Sequence, residues 1–120
     1  MKSTRLNGLI LAAVVMFAVS TQAGAQEQRG RFARQHPRRA EVNRRVNRQN
    51  RRINQGVASG RLAPQQAQQL QANDAAIKAQ ERADVKANGG YLTKPQQRQL
   101  NQEENANSRM IYDEKHPAGQ

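Results

Sequence analysis

The sequence predicts an all-α fold. The expected architecture is a three-helix up-down-up array of two helical hairpins that share the middle helix, behind a disordered basic N-terminal arm. Three observations carry this. Val42, Val46, Ile53 and Val57 fall within about 60° of one another when wound at about 100° per residue, which is a helical stripe. Glycines at Gly56 and Gly60, and the run Asn88-Gly89-Gly90, cut the chain into stretches of helical length. Prolines stand where a first helical turn tolerates them, at Pro37, Pro64 and Pro95.

The elements follow in order. Residues 1–25 read as an export signal. Lys2 and Arg5 supply the positive start, Leu9 to Val19 an apolar run too short to span a bilayer, and Ala23-Gly24-Ala25 the small residues of a cleavage site. Residues 26–36 are polar, basic and without period, so a disordered arm is expected. The domain then spans 37–116, with helices expected at about 38–57, 64–87 and 94–115. The third opens on Thr93-x-x-Gln96, a capping box with Pro95 in the first turn. Residues 117–120 form a tail marked by Pro117 and Gly119.

An internal repeat at an offset of 30 ties the two hairpins together. Gly60-Arg61-Leu62-Ala63 with Gln66 and Leu70 corresponds to Gly90-Tyr91-Leu92-Thr93 with Gln96 and Leu100. The middle helix shows Leu70, Ile77 and Val85 on one side, with Ala72, Ala75, Ala76, Ala79 and Ala83 on the opposite side. Two opposed faces suit the centre of a linear array. In an antiparallel register Ile53 meets Leu70 and Val46 meets Ile77. That register sets Arg52 beside Asp74 and Arg45 beside Glu81, as structural ion pairs.

Composition excludes several classes of function. The chain of 120 residues has no Cys and no Trp, which removes disulfides, thiol nucleophiles and Cys-ligated zinc. Its net charge of +11 is unevenly placed. Between Gln26 and Arg61 there are 11 Arg and two Glu, whereas acids and bases balance from Leu62 onward. No catalytic residues are assigned, because Ser59 and Ser108 have no acid–His arrangement near them and Glu103-Glu104 reads as a solvated pair. An enzyme is not expected.

Metal and cofactor sites are not expected either. The Gly-x-Leu turns resemble an EF-hand loop, yet the twelfth position, which needs a bidentate Glu, holds Gln66 or Gln96. His36 and His116 fall at opposite poles of the array, so they cannot share a metal, and Asp113 with His116 offers only a weak pair.

The first helix carries the functional signal. Arg38, Arg44, Arg48 and Arg51, interleaved with Asn43, Asn47 and Asn50, are the candidate anion-binding residues. The planar guanidinium suits phosphate and carboxylate, and the Asn amides add hydrogen bonds to the same surface. The apolar stripe is too narrow, and too poor in aromatics, for membrane insertion.

Four stretches carry a resemblance: His36-Pro37-Arg38-Arg39-Ala40-Glu41-Val42-Asn43, Asn50-Arg51-Arg52-Ile53, Asn88-Gly89-Gly90-Tyr91-Leu92-Thr93-Lys94 and Ser108-Arg109-Met110-Ile111-Tyr112. On these the chain resembles a group of small, exported, uncharacterised bacterial helical proteins with degenerate EF-hand-like helix-turn-helix repeats. The resemblance implies export and a helical fold and brings no activity with it. The expectation is a protein of the periplasm, or a secreted one, that binds an anionic envelope component: lipopolysaccharide, anionic phospholipid or a wall polymer. Export makes nucleic acid a poor candidate, and signal cleavage would leave no transmembrane segment. The alternatives are a protein-binding, chaperone-like module, for which oligomers are allowed, and a vestigial EF-hand sensor.

Overall fold

The computed structural model describes residues 23–118, which fall into two units divided after Gln35. The expected signal at 1–25 lies outside the described residues except for Ala23-Gly24-Ala25, as does the end of the tail. All regular structure among the described residues is helical. No described helix is long and apolar enough to cross a membrane.

The first unit corrects one expectation. Residues 23–35 (α1) are helical, not disordered. Their Ala, Arg and Gln content is favourable to helix, and low hydrophobicity alone does not prevent a helix from forming. Arg29 Nε donates to the Ala25 carbonyl at 3.4 Å, an i, i−4 contact on the helix surface.

The second unit is a bundle of α2 (Pro37–Ala58), α3 (Pro64–Ala87) and α4 (Lys94–Lys115). Each of the three packs against both others. Contacts fix their directions. Arg39 meets Glu81 and Asn54 meets Gln71, so α3 runs against α2. Glu41 meets Gln97 and Arg52 meets Ser108, so α4 runs with α2.

Local chemistry sets the helix ends. Past α2, Gly60 takes φ 77°, with Gly60 N–H donating to Val57 O at 3.1 Å and Arg61 N–H to Gly56 O at 2.9 Å. Past α3, Gly89 takes φ 70° and Gly90 N–H donates to Val85 O at 2.9 Å. Both are Schellman turns, which need a residue at ease in the left-handed region. At the start of α4, Gln96 N–H donates to Thr93 Oγ1 at 3.3 Å and Thr93 N–H to Gln96 Oε1 at 3.0 Å. At the start of α3 only half of this box exists. Ala63 N–H donates to Gln66 Oε1 at 2.9 Å, and Ala63 has no hydroxyl to answer with.

Closure of the bundle corrects the linear array. Apart from Ala40 near the start of α2 and Val85 near the end of α3, the buried positions alternate at spacings of three and four along every helix. They are Val42, Val46, Gln49, Ile53 and Gly56 on α2, and Ala67, Leu70, Asp74, Ile77 and Glu81 on α3. On α4 they are Leu100, Glu104, Asn107 and Ile111. That is a coiled-coil seam, one per helix, meeting on one axis. The second face proposed for α3 is therefore surface: Ala72, Ala75, Ala76, Ala79 and Ala83 are all exposed. The array needed that face for α4, but α4 lies in the groove between α2 and α3.

Two apolar clusters fill the bundle. Val42, Val46, Ile77, Val85, Leu92 and Leu100 form one, and Ile53, Leu62, Ala67, Leu70 and Ile111 form the other. Ile53 with Leu70, and Val46 with Ile77, each share a cluster. The buried Gln49, Asp74, Glu104 and Asn107 fall in sequence between the cluster members of their own helices.

Candidate functional site

Packing of α2 determines what its outer surface displays. With Val42, Val46 and Ile53 turned to the core, Arg44, Arg48 and Arg51 stand on the opposite side, within about 60° of each other, and all three are exposed. None of the three makes a hydrogen bond or ion pair with another described group. Asn47 is exposed beside them. Asn43 and Asn50 are half-buried, on the flank where Asn54 accepts from Gln71 Nε2 at 3.2 Å. Arg38 is drawn into the fold, since its Nη1 donates to the Leu92 carbonyl at 3.2 Å. The exposed group is thus Arg44, Asn47, Arg48 and Arg51.

The expected ion pairs do not form. Arg45 and Arg52 face α4 rather than α3. Arg45 Nε lies 3.6 Å from Glu104 Oε2, and its Nη2 donates to Asn105 Oδ1. Arg52 donates to Ser108 Oγ at 2.6 Å and to the Ser108 carbonyl at 3.2 Å. Glu81 is taken by Arg39, at 2.9 Å, and Asp74 by Asn107 Nδ2, also at 2.9 Å. The reason is closure: once α4 fills the groove, the α2 edge bearing Arg38, Arg45 and Arg52 borders α4.

Acidic groups are removed from the α2 surface. Asp74, Glu81 and Glu104 are buried at 1%, 1% and 0% exposure. Glu41 on α2 is half-buried and accepts from Gln97 Nε2 at 2.6 Å. Glu103 lines a groove between α3 and α4 with Asn73, Ala76, Ile77, Ala106 and Met110. By helical position Asp84, Asp113 and Glu114 fall on that same α3–α4 flank. Apart from half-buried Glu41, the accessible acids of the bundle therefore lie on α3 and α4, which also expose Arg82, Lys86, Lys94, Arg98 and Arg109.

The polar layer inside the bundle was invisible to apolar periodicity. Gln49 Nε2 donates to the Glu104 carbonyl at 2.7 Å. Asn107 Nδ2 lies within reach of Gln49 Oε1, the Leu70 carbonyl and Asp74 Oδ1, and Asn73 Nδ2 donates to Asn107 Oδ1 at 2.9 Å. Asp74 Oδ2 and both Glu104 carboxylate oxygens are buried with no hydrogen bond from any described group. Burial penalises the charged forms. It raises Asp74 from 3.8 to about 6, against the lowering effect of the Asn107 hydrogen bond. It raises Glu104 from 4.5 to about 7, with Arg45 opposing, Asp74 and Glu41 adding, and Arg48 opposing.

The turns that resemble EF-hand loops serve another purpose. Gln66 and Gln96, at the position where calcium needs a Glu, reach back to cap the helices they begin. The described residues hold no group of three or more His, Asp or Glu suited to a metal ion. His116 stacks on Tyr112 with ring centroids 4.2 Å apart, and its Nε2 lies 3.4 Å from Arg61 Nη1. The expected solvated pair is split: Glu103 lines the groove, whereas Glu104 is turned into the interior by the seam of α4.

No protein family matches the chain, and neither does any curated protein or solved structure.

Proposed function

We propose that the chain is an exported, non-enzymatic helical protein whose α2 surface docks on a phosphate-bearing anionic component of the cell envelope. The observation that carries this is the exposed file of Arg44, Arg48 and Arg51, unpaired with any described acid. Three rotamer-rich cations without a partner among the described residues are available to an external anion, and Arg binds phosphate through two parallel hydrogen bonds. The placement of the acids supports the same reading, because apart from half-buried Glu41 those accessible in the bundle lie on α3 and α4.

The test uses vesicles of an anionic phospholipid at low salt. Replacing Arg44, Arg48 and Arg51 with Gln should leave the helical circular dichroism unchanged, since all three point away from the core and Gln is a good helix former. Binding should weaken by about 1 kcal/mol for each charge removed near an anionic surface. Equal binding by parent and triple variant would overturn the proposal. Export is tested separately, by mass spectrometry of a periplasmic fraction for a chain beginning at Gln26.

A second reading is favoured by the uncharged outer face of α3. Gln65, Gln69, Ala72, Ala76, Ala79 and Ala83 are exposed along it. A chaperone-like contact with another protein would use this face, and its binding would resist salt, whereas anion docking falls steeply as ionic strength rises.

A further inference from the structure

The strangest group in the bundle is Glu104. It is fully buried, both its oxygens lack a hydrogen bond, and it sits in the seam of α4 where a coiled coil would place an apolar residue. A carboxylate so placed weakens the fold unless its charge is used, because each unsatisfied buried charge carries a desolvation cost. The groups facing it say what the charge acts on. From α2 come Arg45, at 3.6 Å, with Arg48 and Glu41 within electrostatic reach, and from α3 comes Asp74. Arg48 belongs to the exposed anion-binding file, and Arg45 borders it.

We propose that Glu104 is a proton-operated control on the arginine surface of α2. Ionised, its carboxylate stands 3.6 Å from Arg45 and cancels part of the positive field that Arg45 and Arg48 extend outward. Protonated, it leaves that field uncancelled for an anion outside, so docking tightens in acid. The exchange is reciprocal: an anion bound to these arginines offsets their charge and makes Glu104 hold its proton more firmly. Asp74 contributes from behind, since its negative charge opposes ionisation of Glu104. This inference rests on the proposed docking surface and specifies its regulation. Because Glu104 titrates near pH 7, the control works in the range an envelope meets when the surroundings acidify.

The experiment measures binding to phosphatidylglycerol vesicles, whose phosphodiester charge is constant over the range. The full chain, Glu104→Gln and Asp74→Asn are compared at about pH 5.5 and about pH 8. The parent should bind roughly fivefold more tightly at the lower pH, the effect of about one surface charge. Glu104→Gln should bind at both values as the parent does in acid. Asp74→Asn should keep the response but shift it to lower pH, because the like charge that opposes ionisation is gone. Circular dichroism melts establish that each variant is folded.

Failure has distinguishable forms. If Glu104→Gln responds to pH as the parent does, the response comes from another group, Asp74 being the nearest one named, and the proposal is overturned while the docking surface stands. A parent that binds equally at both values overturns it in the same way. If the parent does not bind at all, the docking reading falls and this one with it.

Discussion

Asp74→Asn should make the protein more stable at about pH 8 and less stable, by about 1 kcal/mol, at about pH 4.5. In the folded chain Asp74 keeps its proton up to about pH 6, whereas the unfolded chain releases it near 3.8. The sign follows. Between those values the folded state binds more protons, so stability is full below about 3.8 and is lost as pH rises through about 6. At about 1.4 kcal/mol per tenfold change in proton affinity, the cost of ionised Asp74 approaches roughly 3 kcal/mol. Asn retains the acceptor for Asn107 Nδ2 but places an amide where Asp74 Oδ2 has no partner, at a cost of about 1–3 kcal/mol. The net gain at high pH is then roughly 1 kcal/mol, or about 4–8 °C in Tm for a domain of this size. Thermal melts followed by circular dichroism across this range would show it. A variant that melts below the parent at about pH 8 would refute the reasoning, as would a parent whose Tm does not fall between about pH 4.5 and about pH 8. Growing positive charge works against the effect in strong acid, so the parent's optimum should be mildly acidic.

Three further outcomes are expected. Gly56→Ala should destabilise despite the better helix former, because a Cβ there would lie 2.5 Å from Leu62 Cδ1 and 2.7 Å from its Cγ. A propensity gain of about 1 kcal/mol is outweighed by overpacking of about 1–3 kcal/mol, and urea titration reads the difference. Ala63→Ser should stabilise by about 1 kcal/mol, since the new hydroxyl completes the box that Gln66 already half makes, and the same titration measures it. Calcium at millimolar concentration should leave the Tm unchanged, because Gln66 and Gln96 are engaged as caps; a clear rise would revive the loops as cation sites.

The helical class was legible because its signals are local. Schellman glycines, Thr93 with Gln96, and prolines in first turns act through a few neighbouring residues, so they can be read along a single chain. Which faces meet was not legible, because apolar residues mark only part of each seam. On α4 just Leu100 and Ile111 are buried and apolar, 11 residues apart, with Glu104 and Asn107 holding the positions between. A reading that counts only apolar residues finds no face there and assigns α4 to the alanines of α3. The spacings of three and four reappear once Gln49, Asp74, Glu81, Glu104 and Asn107 are allowed inward. The only sequence signal for this was the heptad interval itself, at Asp74 to Glu81 and at Val46 to Ile53. The helical course of 23–35 was missed for the opposite reason, since absence of a hydrophobic stripe was read as absence of a helix.

Burying acids gives this chain two properties together. Nine Asp and Glu stand against 20 Lys and Arg in the whole sequence, and the fold withdraws Asp74, Glu81 and Glu104 from the surface. Each withdrawal makes the outside more positive, and those of Asp74 and Glu104 make the inside less stable when ionised. The surface gain is long-ranged, while the internal cost is confined to the layer between the apolar clusters. A protein built this way does not need a large basic excess on every face, since α2 alone supplies the file and α3 with α4 absorb or displace the acids. Apolar residues at positions 74 and 104 would give a firmer bundle by the usual trade between buried charges and hydrophobic isosteres. On the proposed control by Glu104, they would also fix the arginine field at one strength. The internal cost and the positive surface therefore have one cause: carboxylates placed where water is excluded, with Glu81 beside Arg39 and Glu104 beside Arg45.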